Sequence, residues 1–470
     1  MVRPDSGALP DIARHLSISG SSTVKHLTRH TLLLALGGQS LLALAAEQDH
    51  AKGFIEDSQW SLFNRSLYDR RDYRHGSLSN GARNAYKPRA ERSDLAEEWA
   101  YGLMADYSSG FTQGTLGFGL DAHVYSGWKL DSGGGRAGKA RLLGVDNDGH
   151  PKDQFSRGGA VAKLRFSSTE LRYGEQRVKT PVFGSSDSRL LPETATGWFL
   201  TSRELSDTTL YGGHFNESTD RNASSHDQGF VVNYSNGKQG DSFDLIGVRN
   251  TSIKGLNASL FSALYEDTWR QQYLGALYSL PLGQGQDLTF DFNLYRTQDT
   301  GKALSGRIDN TTWSLMSTYR SGAHSFGLGY QKVDGDTPYD YVTRGAILLS
   351  NAVALSDFNA PQEASWQARY DLNMAGYQVP GLTFSALYVR GSGIDGSHMD
   401  PRGGYAWLGY GEGGKHWERD LQAKYVVQSG PAKNLAVTLR HAVHRGNQAQ
   451  AELDADQLRL AIEYPLGGRF

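Results

Sequence analysis

The chain contains no cysteine. Thiol catalysis, disulfide staples and cysteine-ligated metal or iron–sulfur centres are therefore excluded. Hydrophobic residues make up only 38% of the 470 positions, and mean hydropathy is −0.51. No bundle of transmembrane helices fits that composition. Net charge is also small, at −2 from 48 basic and 50 acidic residues. Without residues 1–46, which hold four Lys/Arg and two Asp, 44 basic and 48 acidic residues remain, or −4. A near-neutral total argues against a nucleic-acid partner. Any electrostatic function must come from sorting charges by face. No GxxxxGK[ST], HExxH or GxSxG motif occurs, and the 14 histidines show no tight ligand spacing. The sequence thus assigns no metal and no cofactor.

Glycine and aromatics are abundant: 56 Gly, 24 Tyr, 18 Phe and 9 Trp. A membrane β-barrel needs interfacial aromatics and a polar lumen. A large soluble β-sandwich or β-helix fits the composition equally well. Near the N-terminus, Lys25, His26 and Arg29 precede TLLLALGGQSLLALAA, an apolar run of signal-peptide length. Ala43 and Ala45 suit a small-x-small cleavage site. Residues 1–45 are expected to be a signal peptide, with Val24 as an alternative start, and 46–470 a single exported β-barrel domain.

Alternation separates the two β readings. From Asn434 to Phe470 two alternating segments flank the polar stretch NQAQAELDADQ. Leu435, Val437, Leu439 and Val443 share one face of the first; Thr438, Arg440 and His444 share the other. In the second, Leu458, Leu460, Ile462 and Tyr464 oppose Arg459, Ala461 and Glu463, and Phe470 falls in phase with Leu466. A period of two with one apolar and one charged face describes a strand between lipid and a wet lumen. The last strand must pair with the first, since an open edge in hydrocarbon leaves backbone groups unsatisfied.

The same theme recurs along the chain. Segments 114–130, 159–178, 287–297, 311–333, 365–374 and 420–440 alternate, with tight turns such as Ser321-Gly322 on one side and long loops such as 130–153 on the other. At roughly 20–25 residues per strand with its loops, about 420 mature residues hold about 16–20 transmembrane strands. With apolar faces outward, Arg369, Lys424, Arg440 and Arg459 point inward, and His444 continues their face. Aligned cations give an anionic group successive charge-assisted partners, a reading favoured over a merely polar lumen. Asp357, in LSDFNAP after a long segment, reads equally as a turn acid before Pro361 and as the acidic edge of a constriction; Tyr341 and Tyr234 would add phenolic hydroxyls. Acid beside base selects a zwitterion.

GFIEDSQWSLFNRSLYDRRDY, SGFTQGTLGFGLDA, SRLLPETATGW, YQKVDGDTPYDY, SDFNAP and KYVVQSGPAKNLAVTLRHAVHR resemble the OprD-type substrate-specific porins of Gram-negative outer membranes, from about Lys52 to Pro465. The resemblance implies an all-β, eighteen-stranded antiparallel transmembrane barrel, monomeric or loosely trimeric. It also implies inward constriction loops and contact with outer-membrane lipid and lipopolysaccharide. It implies uptake of small carboxylate-bearing solutes, with basic amino acids, small peptides and carbapenem antibiotics in one branch and aromatic or aliphatic carboxylates the alternative. The family's basic ladder falls on Arg440, Arg459, Lys424, Arg369 and Arg189, and its eyelet on Asp357, Tyr341 and Tyr234. Thr438, Leu355, Ala352 and Leu387 depart from that pattern and make the pore less basic. A protease triad claimed in the family would use His214 and Asp267, but its serine falls near Ala346. Without a nucleophile the triad fails, so a non-enzyme is expected rather than a secreted β-scaffold hydrolase.

Overall fold

The computed structural model describes residues 46–469 apart from 80–83, 85–86, 133–135, 147–149, 227–228, 231 and 237–239. The expected signal peptide, residues 1–45, and Phe470 lie outside the described residues. Eighteen strands are described. The first half of the wall is β1 (Gln59–Tyr73), β2 (Leu95–Ser108), β3 (Leu116–Asp131), β4 (Gln154–Phe166), β5 (Thr169–Gln176), β6 (Thr194–Leu205), β7 (Thr208–Thr219), β8 (Phe243–Asn250) and β9 (Leu256–Tyr265). The second half is β10 (Trp269–Gly283), β11 (Gln286–Asp299), β12 (Asp309–Ser321), β13 (His324–Asp334), β14 (Ala364–Asn373), β15 (Leu382–Asp395), β16 (Glu412–Val426), β17 (Ala436–Gly446) and β18 (Ala455–Arg469). Each strand pairs antiparallel with its neighbours in sequence, and β18 pairs with β1 from Gln59↔Arg469 to Tyr73↔Ala455. The sheet is thus a closed barrel with no free edge, as expected for hydrocarbon surroundings. No helix among the described residues is long and apolar enough to cross a membrane; the strands do the crossing.

Connections are asymmetric. β4–β5, β6–β7, β10–β11 and β12–β13 turn over two residues each, while 132–153, 220–242, 335–363 and 396–411 bridge strands at the other end. Short turns on the periplasmic side and long loops outside are the outer-membrane arrangement. The outer face carries the apolar stripe read from alternation. Leu439, Leu458, Ile462 and Leu466 are exposed, and Leu328 is 70% exposed. That much aliphatic surface is compatible with lipid, not water.

The lumen is less polar than the sequence suggests. On β7–β11 the inner face carries Phe215, Phe243, Phe261, Tyr265, Trp269, Tyr273 and Tyr295, all buried. They pack against Val178, Val182 and Phe183 of loop 177–193 and against Tyr339, Val342 and Ala346 of loop 335–363. Ring centroids of Phe183 lie 4.8 Å from Phe215 and 4.7 Å from Phe243, offset contacts adding about 0.5–1.5 kcal/mol each beyond area burial. Gly247 makes room for this packing, since a Cβ there would meet the Phe261 ring at 2.1 Å. The expectation of apolar faces outward and polar faces inward is therefore corrected for this arc. On β9, Leu260 faces out while Phe261, Ala263 and Tyr265 face in. Both faces are apolar because one meets lipid and the other meets docked loops.

Loops folded into a barrel must satisfy their backbone amides. Buried carboxylates do this. Glu98 on β2 accepts from the amides of Gly138, Ala140, Leu142 and Leu143 at 2.9–3.2 Å. Asp340 accepts from those of Asn233, Tyr234, Ser235 and Tyr341 at 2.8–3.2 Å. Glu418 on β16 accepts from those of Leu355 and Ser356 at 2.8 and 2.9 Å. Three long loops are thereby drawn into the lumen, where they narrow it.

Candidate functional site: a charged constriction

The remaining arc, β16–β18 with β1, keeps a charged inner face. Arg440 on β17 lies directly across from Arg459 on β18. Two like charges in register repel, and Asp69 on β1 answers them. Asp69 pairs in register with Arg459, with Nη2 of the arginine 2.7 Å from Oδ2. Its other oxygen accepts from Arg71 Nε at 3.1 Å. Gln457 donates to Asp69 at 2.7 Å and accepts from Arg440 Nη2 at 3.0 Å. One buried carboxylate thus positions three arginines, and the patch stays net positive.

Loops complete the constriction. Arg189 donates to the carbonyls of Ala140 and Ser188. Desolvation deep in the barrel, together with the charges of Arg459, Arg221 and Arg71, pushes its guanidinium well below the ordinary value. An arginine in that position stays cationic and gains from an incoming anion. Arg221 from loop 220–242 donates to the Ser188 hydroxyl at 3.3 Å. Asp357 receives two phenols on one oxygen, Tyr234 at 2.6 Å and Tyr341 at 2.8 Å. Burial raises the Asp357 carboxyl above its ordinary value, and the two phenols oppose that rise. Burial likewise pushes both phenols well above theirs, so they remain donors. Trp407 from loop 396–411 donates to the Tyr234 carbonyl at 2.9 Å and holds that side in place.

These groups surround a cavity of about 630 Å³. Of the residues proposed from sequence, Arg189, Arg440, Arg459, Asp357, Tyr341 and Tyr234 line it. Arg369 and Lys424 face inward but do not line it. Arg369 grips Asp371 with two bonds of 2.7 and 2.9 Å, so its charge is already matched. Lys424 pairs in register with Thr438, one inward step below Arg440. Alternation assigns a face correctly but not a height along the pore. Of the departures from the family pattern, Leu355 and Ala352 line the cavity, Thr438 lies beside Arg65 and Arg440, and Leu387 sits opposite Arg369 and Asp420.

Sequence reasoning missed Asp69, Arg71, Arg221 and Arg344. The first two were legible, because Arg65, Asp69 and Arg71 share one face of β1. The other two are loop residues without periodicity. Arg344 pairs with Asp220 at 3.0 Å and bonds Asn233 at 3.2 Å, joining two constriction loops. The triad residues are dispersed. His214 is exposed beside Asp244 at 2.8 Å, Asp267 pairs with Lys302 at 2.5 Å, and Ala346 is buried.

The family model for outer membrane porins of the OprD family matches residues 52–467. Porin D of Pseudomonas aeruginosa is 47% identical over 434 residues, covering 90% of this chain and 94% of that protein. The porin-like protein GalP of Pseudomonas putida is 33% identical over 432 residues, covering 90% and 96%. A crystal structure of Pseudomonas aeruginosa OprD superposes with a TM-score of 0.77 at 44% identity, covering 90% of this chain and 99% of that one. A crystal structure of Pseudomonas aeruginosa OpdK with vanillate gives 0.78 at 34% identity, covering 88% and 100%. A closed eighteen-stranded wall, loops drawn inward and a charged constriction agree with these likenesses: the chain belongs to the OprD family of porins, passive diffusion channels of the Gram-negative outer membrane.

Proposed function

We propose that this channel selects small solutes bearing a carboxylate and a cationic group, with basic amino acids and small peptides favoured and carbapenem antibiotics admitted. The observation that carries the reading is the cavity shared by Arg189, Arg440 and Arg459 with Asp357. The arginines offer a carboxylate several partners in sequence, so no single one need hold it tightly. Asp357, kept polar by two phenols, faces the cationic end. Passage needs no chemistry and no cofactor; charge sorting and narrowness suffice. The reading adds a cleaved N-terminal signal, a lipid and lipopolysaccharide surround, and a monomeric or loosely trimeric barrel.

A second reading is supported by Leu355 and Ala352 at the cavity wall. These apolar side chains suit an aromatic or aliphatic carboxylate, and the relative OpdK was crystallised with vanillate. Uptake into liposomes holding the purified protein separates the two, with arginine, benzoate and glucose compared. Arginine ahead of both supports selection by Asp357. Benzoate ahead supports the aromatic reading and leaves the arginines as the selector. Equal passage of all three overturns both.

A further inference from the structure

Above the arginines, the channel wall holds a second cluster. His416 on β16 and His444 on β17 point inward and are 3% and 2% exposed. Glu452, from the connection between β17 and β18, reaches the same point. His416 Nδ1 and His444 Nε2 are 2.9 Å apart. Glu452 Oε2 lies 3.3 Å from His444 Nε2 and 3.8 Å from His416 Nδ1. We propose that these three atoms form a site for a divalent transition-metal ion, with Zn²⁺ the best chemical match.

Three observations carry it. First, the spacing fits. An ion bound tetrahedrally at about 2.0–2.1 Å has ligand-to-ligand edges of about 3.3–3.4 Å, and the three distances bracket that value. Second, each histidine is already oriented as a metal ligand. His444 Nδ1 lies 3.2 Å from the Leu453 carbonyl. A carbonyl only accepts, so Nδ1 carries the hydrogen and Nε2 presents its lone pair. His416 Nε2 lies 2.5 Å from Glu363 Oε1, which places the hydrogen there and frees Nδ1. Glu363 is itself fixed, its other oxygen accepting from the Ala360 amide at 3.0 Å. Gly391 leaves the space, since a Cβ there would meet Glu363 Oε1 at 1.8 Å. A carboxylate or carbonyl behind each ring is the usual outer shell of a histidine-bound metal. Third, Glu452 Oε2 is buried and accepts no hydrogen bond among the described residues. Two lone pairs and an anionic oxygen therefore converge where a cation belongs.

Two nitrogens and one carboxylate oxygen suit Zn²⁺ and its neighbours rather than Mg²⁺ or Ca²⁺, which prefer oxygen alone. Three protein ligands leave one position open. His444 and Glu452 line the cavity, so that position faces the solute path. The histidines lie 28 residues apart in sequence, and pairing of β16 with β17 brings them together. Spacing along the chain alone shows no such site.

The test uses the full protein in detergent, stripped with EDTA and titrated with ZnCl₂ by calorimetry. One equivalent should bind. Binding should weaken roughly tenfold or more in Glu452→Gln and His444→Ala, and stay unchanged in His398→Ala, an exposed histidine elsewhere. MgCl₂ at the same concentration should not compete. No stoichiometric binding by the unmodified protein overturns the site, as does unchanged affinity in both variants. Because a histidine variant can fail to fold, Co²⁺ is added to the unmodified protein as well. Intense visible bands of low-symmetry four-coordinate Co²⁺ support the site. A weak octahedral spectrum overturns it and leaves a metal-free histidine pair between Glu363 and Glu452.

Discussion

Arg459 meets Asp69 across the strand pair that closes the barrel, Nη2 to Oδ2 at 2.7 Å. The charged inner wall and the structural seam thus share this contact. Asp69 also holds Arg71 and, through Gln457, Arg440. Removing the carboxylate leaves buried cations unmatched, which costs on the order of 3 kcal/mol. Asp69→Asn should therefore lower the thermal unfolding midpoint of the barrel in detergent. An unchanged midpoint would mean channel water already screens the arginines.

Arg440 lines the cavity without a carboxylate in register, between Gln422 and Arg459. On the proposed reading its charge meets the solute. Arg440→Ala should reduce carboxylate flux about tenfold relative to a neutral sugar, equivalent to about 1.4 kcal/mol of lost interaction. Arg369→Ala should change that ratio little, because Arg369 is committed to Asp371. Flux ratios from liposome swelling check both. An equal fall for sugar and carboxylate would mean the arginine only shapes the pore.

Asp357 sets a pH dependence. Burial raises its carboxyl above the ordinary value, so it gains a proton at a pH where an exposed aspartate is still charged. Preference for cationic solutes should hold at neutral pH and fade on acidification, beginning above the ordinary aspartate range. Asp357→Asn should lack both the preference and its pH dependence. Reversal potentials in planar bilayers between pH 7 and pH 4 measure this. A preference that persists to the ordinary aspartate range would show Asp357 to be fully solvated.

Asp340 ties loop 335–363 to loop 220–242 through the backbone amides of Asn233, Tyr234 and Ser235 and also accepts from the amide of its own neighbour Tyr341. Burial pushes its carboxyl up to about 6. A carboxyl higher in the docked state than in the released one binds its proton more readily when docked. Lowering pH through 6 toward the ordinary aspartate range should therefore tighten docking. Limited proteolysis of loop 220–242 should slow over that window. Asp340→Ala should abolish the effect and raise single-channel conductance, since residues 233–235 lose their shared backbone anchor while the wall stays closed. Conductance equal to that of the unmodified channel would place the constriction elsewhere.

Much of the wall was legible. Alternation through Leu458, Ile462 and Leu466 marked the lipid face of β18, and the same rule placed Arg440 and Arg459 inward. A period of two is a local property of the backbone, so it survives without tertiary information. It failed on β9, where Leu260 and Phe261 are both large and apolar. Hydrophobicity alone does not distinguish lipid from a docked loop.

The sequence by itself determined the strand count to within two, the facing of the charged residues and the absence of thiol chemistry. Those follow from composition and from side chains alternating every residue. Only the tertiary structure decided which charges meet. Asp69 and Arg459 are separated by 390 positions, Tyr234 and Asp357 by 123, and His416 and His444 by 28. Their meeting depends on strand register and on loops tied inward by buried carboxylates. These are free-energy minima of the whole closed sheet, and no local stretch of chain encodes them.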